Sequence, residues 1–457
     1  MLRSIDPTTG ETIRDYPEAT PAAIGAALDQ AERAFLSWRR ESFETRGAAL
    51  RRVAARLRER AAEDAVLMAR EMGKPVAQGR AEAEKCAWTC DHFAEHAASM
   101  LAPIDAPSDA SRSYVAFQPL GVVLAVMPWN FPYWQVFRFA APALMAGNAC
   151  VLKHASNVSG CSLAIEAIFR EAGLPDGLFT TLLVPGAAVE PIIAMPQIRA
   201  VTLTGSAPAG RAVAAAAGEV LKKCVLELGG SDPYVILEDA DLDAAAATCA
   251  ASRLINAGQS CIAAKRFIVV ESVREAFTER FVAAMRAKRW GNPLAEDADA
   301  PDLGPMARED LRDELHRQVR ASVSRGARLL LGGEIPEGPG AFYPPTVLDQ
   351  VRPGMPVYGE ETFGPAAAVI AARDEAEAIR LANDTPFGLG AAVFTRDVAR
   401  GERIAANEFD AGACFVNGYV RSDPRLPFGG VKESGYGREL AAVGIREFVN
   451  VKTVWVG

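Results

Sequence analysis

The sequence predicts an α/β protein of two lobes with a small separate β element, and three observations carry that expectation. At 457 residues the chain is too long for one core, since cores stop growing at roughly 250 to 300 residues and longer chains divide. From Gly121 onward, short apolar runs alternate with stretches of helical period, the pattern of parallel sheets covered on both faces. Two further stretches, Ser111 to Gln118 and Glu447 to Trp455, alternate like exposed strands and belong to neither lobe.

The first hundred residues read as helix-rich. Thr20-Pro21 is a cap followed by proline at the first helical position, and apolar residues recur at helical spacing through Ala31 and Phe35. Arg46 to Met72 continues as a long Ala/Arg/Glu helix stopped by Gly73, and Ala77 to Met100 follows. Strands come next at Val122 to Met127, Ala149 to Lys153, Thr180 to Val184, Ala200 to Thr204 and Lys223 to Leu226. Between them lie helices at Trp134 to Ala146, Gly160 to Ala172, Ala188 to Met195 and Gly210 to Gly218. A Rossmann-like sheet of this kind binds ligands outside the carboxyl ends of its strands, so a nucleotide site is expected there. A second alternating region, Pro233 to about Phe428, includes strands Arg266 to Val270 and Arg328 to Leu331 and helices Val273 to Arg289, Arg308 to Arg325 and Glu375 to Ala382. Within it Asn292 to Pro305, rich in Pro, Asp and Ala, reads as a surface loop. The expected organisation is a cofactor-binding domain over 1-110 and 121-227, a catalytic domain over 228-430, and an oligomerisation or bridging element over 111-120 and 431-457. The strands of that element suit pairing with each other and with another subunit, in a homodimer or homotetramer.

Composition narrows the function. A net charge of -8 provides no field for polyanions, so nucleic acid is not an expected partner. Eight cysteines without a CxxC pair and only four histidines make a structural zinc improbable, and no metal is expected. Met1 to Pro7 carries a charge and a proline where a signal peptide needs an apolar core, which points to a reducing, cytoplasmic location and free thiols. The apolar region Gly121 to Leu152 is broken by Pro128, Asn130, Pro132, Gln135, Arg138 and Pro142 well before the roughly 20 apolar residues of a membrane span.

Three residues carry the chemistry. Cys261 follows Gly258-Gln259-Ser260, a poor helix or strand but a good loop for presenting a thiol, and Lys265 and Arg266 close behind are expected to lower its pKa. Most cysteines are buried small hydrophobes, and the other seven fit that description. Glu227 ends an apolar strand and two glycines follow at 229 and 230, leaving room for a close approach; alone it reads as a strand-end acid facing solvent. Asn130, fixed between Pro128 and Pro132, serves either a turn or a developing oxyanion. A thiol and a base together are what making and hydrolysing a thioester requires.

These motifs, in this order and over nearly the whole chain, resemble the aldehyde dehydrogenase superfamily. The match includes Pro128-Trp129-Asn130-Phe131-Pro132, Lys153, Thr204-Gly205-Ser206, Glu227-Leu228-Gly229-Gly230, Gly258-Gln259-Ser260-Cys261, Glu361-Thr362-Phe363-Gly364-Pro365 and Pro427-Phe428-Gly429-Gly430. The resemblance implies Cys261 as nucleophile, Glu227 as the base that activates water, and Asn130 as oxyanion donor beside the backbone N–H of Cys261. It implies Lys153 on the adenosine ribose, Gly205 and Ser206 under the pyrophosphate, and Glu361 and Phe363 at the nicotinamide ribose and ring, with Trp129 and Leu228 also lining the cofactor. Like the family, the sheet region has no GxGxxG. NAD-specific members usually carry a glutamate three residues after the lysine; Ser156 stands there, so both NAD and NADP are expected cofactors.

Within the family the chain is most similar to bacterial NAD(P)-dependent succinate-semialdehyde dehydrogenases, through Leu152-Lys153-His154-Ala155, Leu228-Gly229-Gly230-Ser231-Asp232-Pro233 and Leu303-Gly304-Pro305-Met306-Ala307-Arg308. An acid-bearing aldehyde needs a cation one substrate length from the thiol. Arg138 matches one arginine used by such enzymes, while a second, six residues before the nucleophile, is Ile255 here. Arg421, Ser422 and Arg425, with Ser260, are the other substrate-binding candidates; for the arginines a surface or interlobe salt bridge is the alternative. A broad dehydrogenase of neutral aldehydes, suggested by Trp129, Phe131, Tyr133 and Trp134, a CoA-acylating relative and a non-catalytic binding protein of the same fold are the competing readings.

Overall fold

The computed structural model describes residues 1–457. Its first sheet has six strands in the order Gly435–Tyr436, Lys223–Glu227, Ile198–Thr204, Val122–Met127, Ala149–His154 and Phe179–Thr181, parallel except for the first pair. The chain lays Ala149–His154 and Phe179–Thr181 on one side of Val122–Met127, then returns to place Ile198–Thr204 on the other. That reversal opens a crevice beyond the carboxyl ends of the two central strands, the usual ligand site of an open α/β sheet. Its middle strands are apolar on both faces because helices cover both, and a single core runs from Ile24 to Val449. Helices Phe43–Met72 and Val76–Met100 pack on each other and on Ser159–Glu171 and Trp134–Ala146 respectively. Thr20 caps the helix Pro21–Trp38 and Gly73 ends Phe43–Met72 in the left-handed conformation, as their residue types require.

Ahead of the first helix, the N-terminus adds strands to the helix-rich expectation. Leu2–Ile5 and Thr12–Tyr16 form an antiparallel hairpin around Asp6-Pro7-Thr8-Thr9-Gly10, and the Ser4 hydroxyl donates to the buried Glu71 carboxylate at 2.5 Å. The strands are too short to show a period of two, so turn chemistry was the available signal. The predicted strand Thr180 to Val184 is shorter, Phe179–Thr181, although Leu182 still donates to Leu152 O.

The second sheet runs Arg328–Leu331, Thr346–Asp349, Ala366–Ala372, Arg266–Val270, Pro233–Ile236, Gly390–Phe394 and Ala413–Val416, parallel except for the first pair. Two apolar clusters cover its faces. Two of these strands are anticipated; Ala366–Ala372 and Gly390–Phe394 are rich in alanine, a weak strand former that depends on tertiary burial, and Pro233–Ile236, Thr346–Asp349 and Ala413–Val416 are runs of only four residues. The segment Asn292 to Pro305 is a surface loop only in its middle: Pro293 and Leu303 to Pro305 are buried, and Trp290 bridges to Leu303.

Val449–Val456 pairs antiparallel with Arg112–Pro119 from Val449↔Pro119 to Val456↔Arg112, and Ile104–Asp105 adds a short third strand. The outer edge of Val449–Val456 is unpaired and exposes Val451, Trp455 and Val456. No helix is long and apolar enough to cross a membrane.

Candidate active site

Strand ends and loops of both sheets meet at a cavity of ≈ 750 Å³ whose wall includes Cys261, Ser260, Phe131, Arg138, Ser422 and Lys85. Cys261 is delivered by a strained turn. Over Ile255–Gly258 the backbone is left-handed at two non-glycine residues, Asn256 at φ 52° and Ala257 at φ 54°, each costing about 1–2 kcal/mol. Three side chains hold the turn closed. Asn256 Nδ2 donates to Asn130 O at 2.7 Å, Gln259 Oε1 accepts from Ala307 N at 2.8 Å, and Lys265 Nζ donates to Cys261 O at 2.7 Å and Ser260 O at 2.9 Å. The sulfur is therefore carried by a loop with little freedom.

Glycine is required on the facing side. A Cβ on Gly230 would lie 2.6 Å from Cys261 O, and a Cβ on Gly429 would lie 2.6 Å from Glu227 Oε1. These approaches, the first anticipated at the glycine pair after Glu227, bring the thiol loop and the carboxylate into one neighbourhood. Glu227 itself does not line the cavity; it stands beside Arg138, Arg438 and Glu439.

Burial dominates the electrostatics. It pushes the Cys261 thiol up to about 12, while Arg138 and then Lys265 pull in the other direction. The expected depression of the thiol is thus reversed by burial, and two features limit what the cations after it can offset. Arg266 turns away to donate to the carbonyls of Ser231, Leu381 and Ala382, and Lys265 shares its charge with Glu361 at 3.5 Å. Glu227 is 2 % exposed, not solvent-facing, and burial raises its carboxyl well above the usual range, with Arg138 opposing and Glu439 reinforcing. Both of its oxygens are buried and accept no hydrogen bond from the protein. A carboxyl in that state is a stronger base than an ordinary one.

Asn130 is buried, with Nδ2 on Gln259 O at 3.1 Å and Oδ1 unpartnered. Arg138 reaches the cavity, but its charge is engaged: it pairs with the buried Glu439, donates from Nη2 to Thr204 Oγ1 at 3.2 Å, and lies 4.8 Å over the Phe428 ring. Of the remaining candidates, Ser422 is buried on the wall, Arg421 is exposed, and Arg425 pairs with Asp423 at 2.6 Å. Phe131 and Trp134 line the cavity, whereas Trp129 turns edge-on to Phe363 at 5.7 Å and Tyr133 is buried elsewhere.

The crevice of the first sheet fits a dinucleotide. Gly205 N donates to Glu227 O, and Ser206 caps the helix Ala207–Glu219, whose first N–H groups and dipole suit a pyrophosphate. Lys153, at the end of Ala149–His154, is buried and lowered by that burial, and Ser156 opens the next turn. Glu361 Oε1 accepts from Gly230 N at 2.9 Å, and the buried Leu228 and the Trp129–Phe363 pair supply apolar walls. No group of three or more His, Cys, Asp or Glu side chains stands together as a metal site.

Sequence reasoning missed Glu439 and Lys85. Glu439 follows the Gly435–Tyr436 strand that pairs with Glu227, a relation set by topology alone. Lys85 carried a faint signal: Glu82, Lys85 and Trp88 recur every three residues on one side of the helix Val76–Met100.

Comparison with known proteins places these features in context. A family model described as the aldehyde dehydrogenase family matches residues 1–454. A probable succinate-semialdehyde dehydrogenase [NADP(+)] of Synechocystis sp. is 49% identical over 455 residues, covering 100% of this chain and 99% of that protein. A succinate semialdehyde dehydrogenase [NAD(P)+] of Escherichia coli is 49% identical, covering 99% of this chain and 97% of its own. Among solved structures, the succinic semialdehyde dehydrogenase of Streptococcus pyogenes in complex with NADP+ superposes with a TM-score of 0.96 at 36% identity, each chain fully covered.

Proposed function

Because the chain belongs to the aldehyde dehydrogenase family, we propose that it oxidises succinate semialdehyde, or a similar short aldehyde, to the carboxylic acid with NAD or NADP. The observation that carries this reading is the meeting of Cys261, Asn130 and the buried Glu227 between a dinucleotide crevice and a cation-rich cavity.

Cys261 Sγ attacks the aldehyde carbon, and its proton leaves to a neighbouring base or water. The resulting oxyanion of the thiohemiacetal is held by the Cys261 backbone N–H and by the second N–H of Asn130 Nδ2, whose first is on Gln259 O; one such donor is worth about 2.7–4 kcal/mol in the transition state. Lys153, Gly205, Ser206 and Glu361 would hold the dinucleotide, which when bound would supply the hydride acceptor. Once hydride has left the carbon, a thioester remains on Cys261. Glu227 takes a proton from water, the hydroxide adds to the acyl carbon, and the thiolate is expelled with the carboxylic acid as product.

A panel of aldehydes assayed with each cofactor tests substrate and cofactor together. The expectation is a higher kcat/KM for succinate semialdehyde than for hexanal, and measurable rates with both NAD and NADP, since Ser156 brings no charge against a 2'-phosphate. The aromatic wall of Phe131, Trp134 and Trp88 favours one competing reading, neutral aldehydes; a ratio in favour of hexanal selects it. A zero rate with NADP removes the dual-cofactor assignment.

We further assign the exposed edge of Val449–Val456 to pairing with a second copy of the chain, as a homodimer or homotetramer in which a sheet continues across subunits. Sedimentation is expected to give a multiple of 48.6 kDa, reduced by Val451→Lys; a monomer at micromolar concentration overturns the assignment.

A further inference from the structure

Five basic side chains line the cavity: Lys85, Arg138, Lys288, Arg421 and Arg425. Three already face acids, Arg138 with Glu439, Lys288 with Asp302 at 3.0 Å and Arg425 with Asp423 at 2.6 Å. Arg421 is exposed, its guanidinium 5.8 Å from the Tyr419 ring. Lys85 is different. It is half-buried, and the nearest acids, Glu82 and Asp423, are committed to Lys74 and Arg425 and form no ion pair with it.

The ammonium is nevertheless held in place. Nζ donates to Ser422 Oγ at 2.9 Å and sits 4.0 Å over the Trp134 ring. Glu82 anchors the surroundings by accepting from the backbone N–H groups of Tyr133 and Trp134, both at 2.9 Å, so the helix that carries Arg138 begins beside the one that carries Lys85. Two donors remain unspent on the cavity side: further N–H bonds of Lys85, and the Ser422 O–H, whose oxygen accepts from Lys85 and leaves its proton to give. A fixed, poorly hydrated cation beside a hydroxyl is a receptor for a carboxylate.

We propose that Lys85, held beside the Ser422 hydroxyl, binds the free carboxylate of the substrate and so adds a specificity-determining cation for acid-bearing aldehydes. This rests on the function proposed above. Arg138, also on the wall, shares its charge with the buried Glu439 and acts on Glu227 and Cys261, whereas Lys85 has no acid partner. Ile255, on the same wall, brings no charge.

The cation is also tunable. Burial lowers the Lys85 ammonium to about 8, with Arg138 adding to the effect and the Cys86 thiol, Glu82 and Asp423 opposing it. The Cys86 thiol is instead held protonated by burial across pH 7 to 9. The Lys85 ammonium is lowered into that range. Carboxylate binding should weaken as pH rises through about 8.

The readout is the ratio of KM for succinate semialdehyde to KM for butanal, which cancels ionisations common to both substrates. Lys85→Met is expected to raise that ratio about ten- to a hundredfold, the worth of a charge-assisted bond, and Lys85→Arg to restore most of it. In the unaltered enzyme the ratio is expected to climb above pH 8, and in Lys85→Arg to stay flat. A ratio unchanged within twofold in Lys85→Met overturns the proposal while leaving the substrate assignment intact. If that variant fails to fold, as judged by cofactor binding, a flat pH profile of the unaltered enzyme overturns it equally. An unaltered enzyme with no preference for succinate semialdehyde removes the function reading first, and this proposal with it.

Discussion

Cys261→Ala is expected to abolish aldehyde oxidation, by about 10⁴-fold or more, while leaving cofactor affinity within about twofold. No other thiol can take over. Cys86, Cys90, Cys150, Cys161 and Cys249 are buried in strands and helices, Cys224 is hydrogen-bonded to the Tyr436 hydroxyl at 2.8 Å, and Cys414 lies against Ala411 O. Only Cys261 reaches the cavity. Removal of one sulfur leaves the turn intact, because Asn256, Gln259 and Lys265 hold it through backbone atoms that alanine retains. Dinucleotide titration by fluorescence, together with single-turnover assay, separates loss of chemistry from loss of fold. An alanine variant that still reduces cofactor in the presence of aldehyde sinks the assignment.

What could be read from the chain divides along a physical line. Strand ends and tight turns are local, so Met127 to Pro132, Glu227 to Gly230 and the Cys261 loop announced themselves through prolines, glycines and the end of an apolar run, while Thr204 to Ser206 stood out only through the family resemblance. Charge state is not local. The cations after Cys261 suggested a depressed thiol, yet the tertiary fold buries the sulfur and turns Arg266 toward three carbonyls on another face. Partner choice is equally remote. Lys85 meets Ser422 across 337 positions, and Arg138, readable as a cation near the site, has its acid in Glu439 at the far end of the chain. Neither pairing leaves a pattern in sequence spacing. The N-terminal hairpin and the alanine-rich strands of the second sheet were hidden for the opposite reason: their local propensities are weak, and packing decides them.

Glu227→Gln should separate the two halves of the reaction. Glutamine has the size of glutamate and stays neutral, so a site already pushed toward the protonated form loses little stability; the melting temperature is expected to move by only a few degrees. Acylation needs the thiol and the oxyanion donors, which the change leaves in place. Deacylation needs a proton acceptor for water, which the amide cannot be. A burst approaching one equivalent of reduced cofactor per site is therefore expected, followed by a steady state slower by about 10²–10⁴-fold. Hydroxylamine, a nucleophile that needs no base, should restore turnover by intercepting the thioester as a hydroxamate. The pH dependence has a definite sign. Because the carboxyl is raised, less of it is ionised at neutral pH than in an ordinary glutamate, so the deacylation rate of the unaltered enzyme climbs as pH rises toward that raised value, and the variant loses this slope. A variant with neither burst nor slowed steady state would show that water is activated elsewhere. A burst that itself slows in step with turnover would instead mean that Glu227 also receives the Cys261 proton, which the mutual charge influence of the two groups makes a direct experimental question.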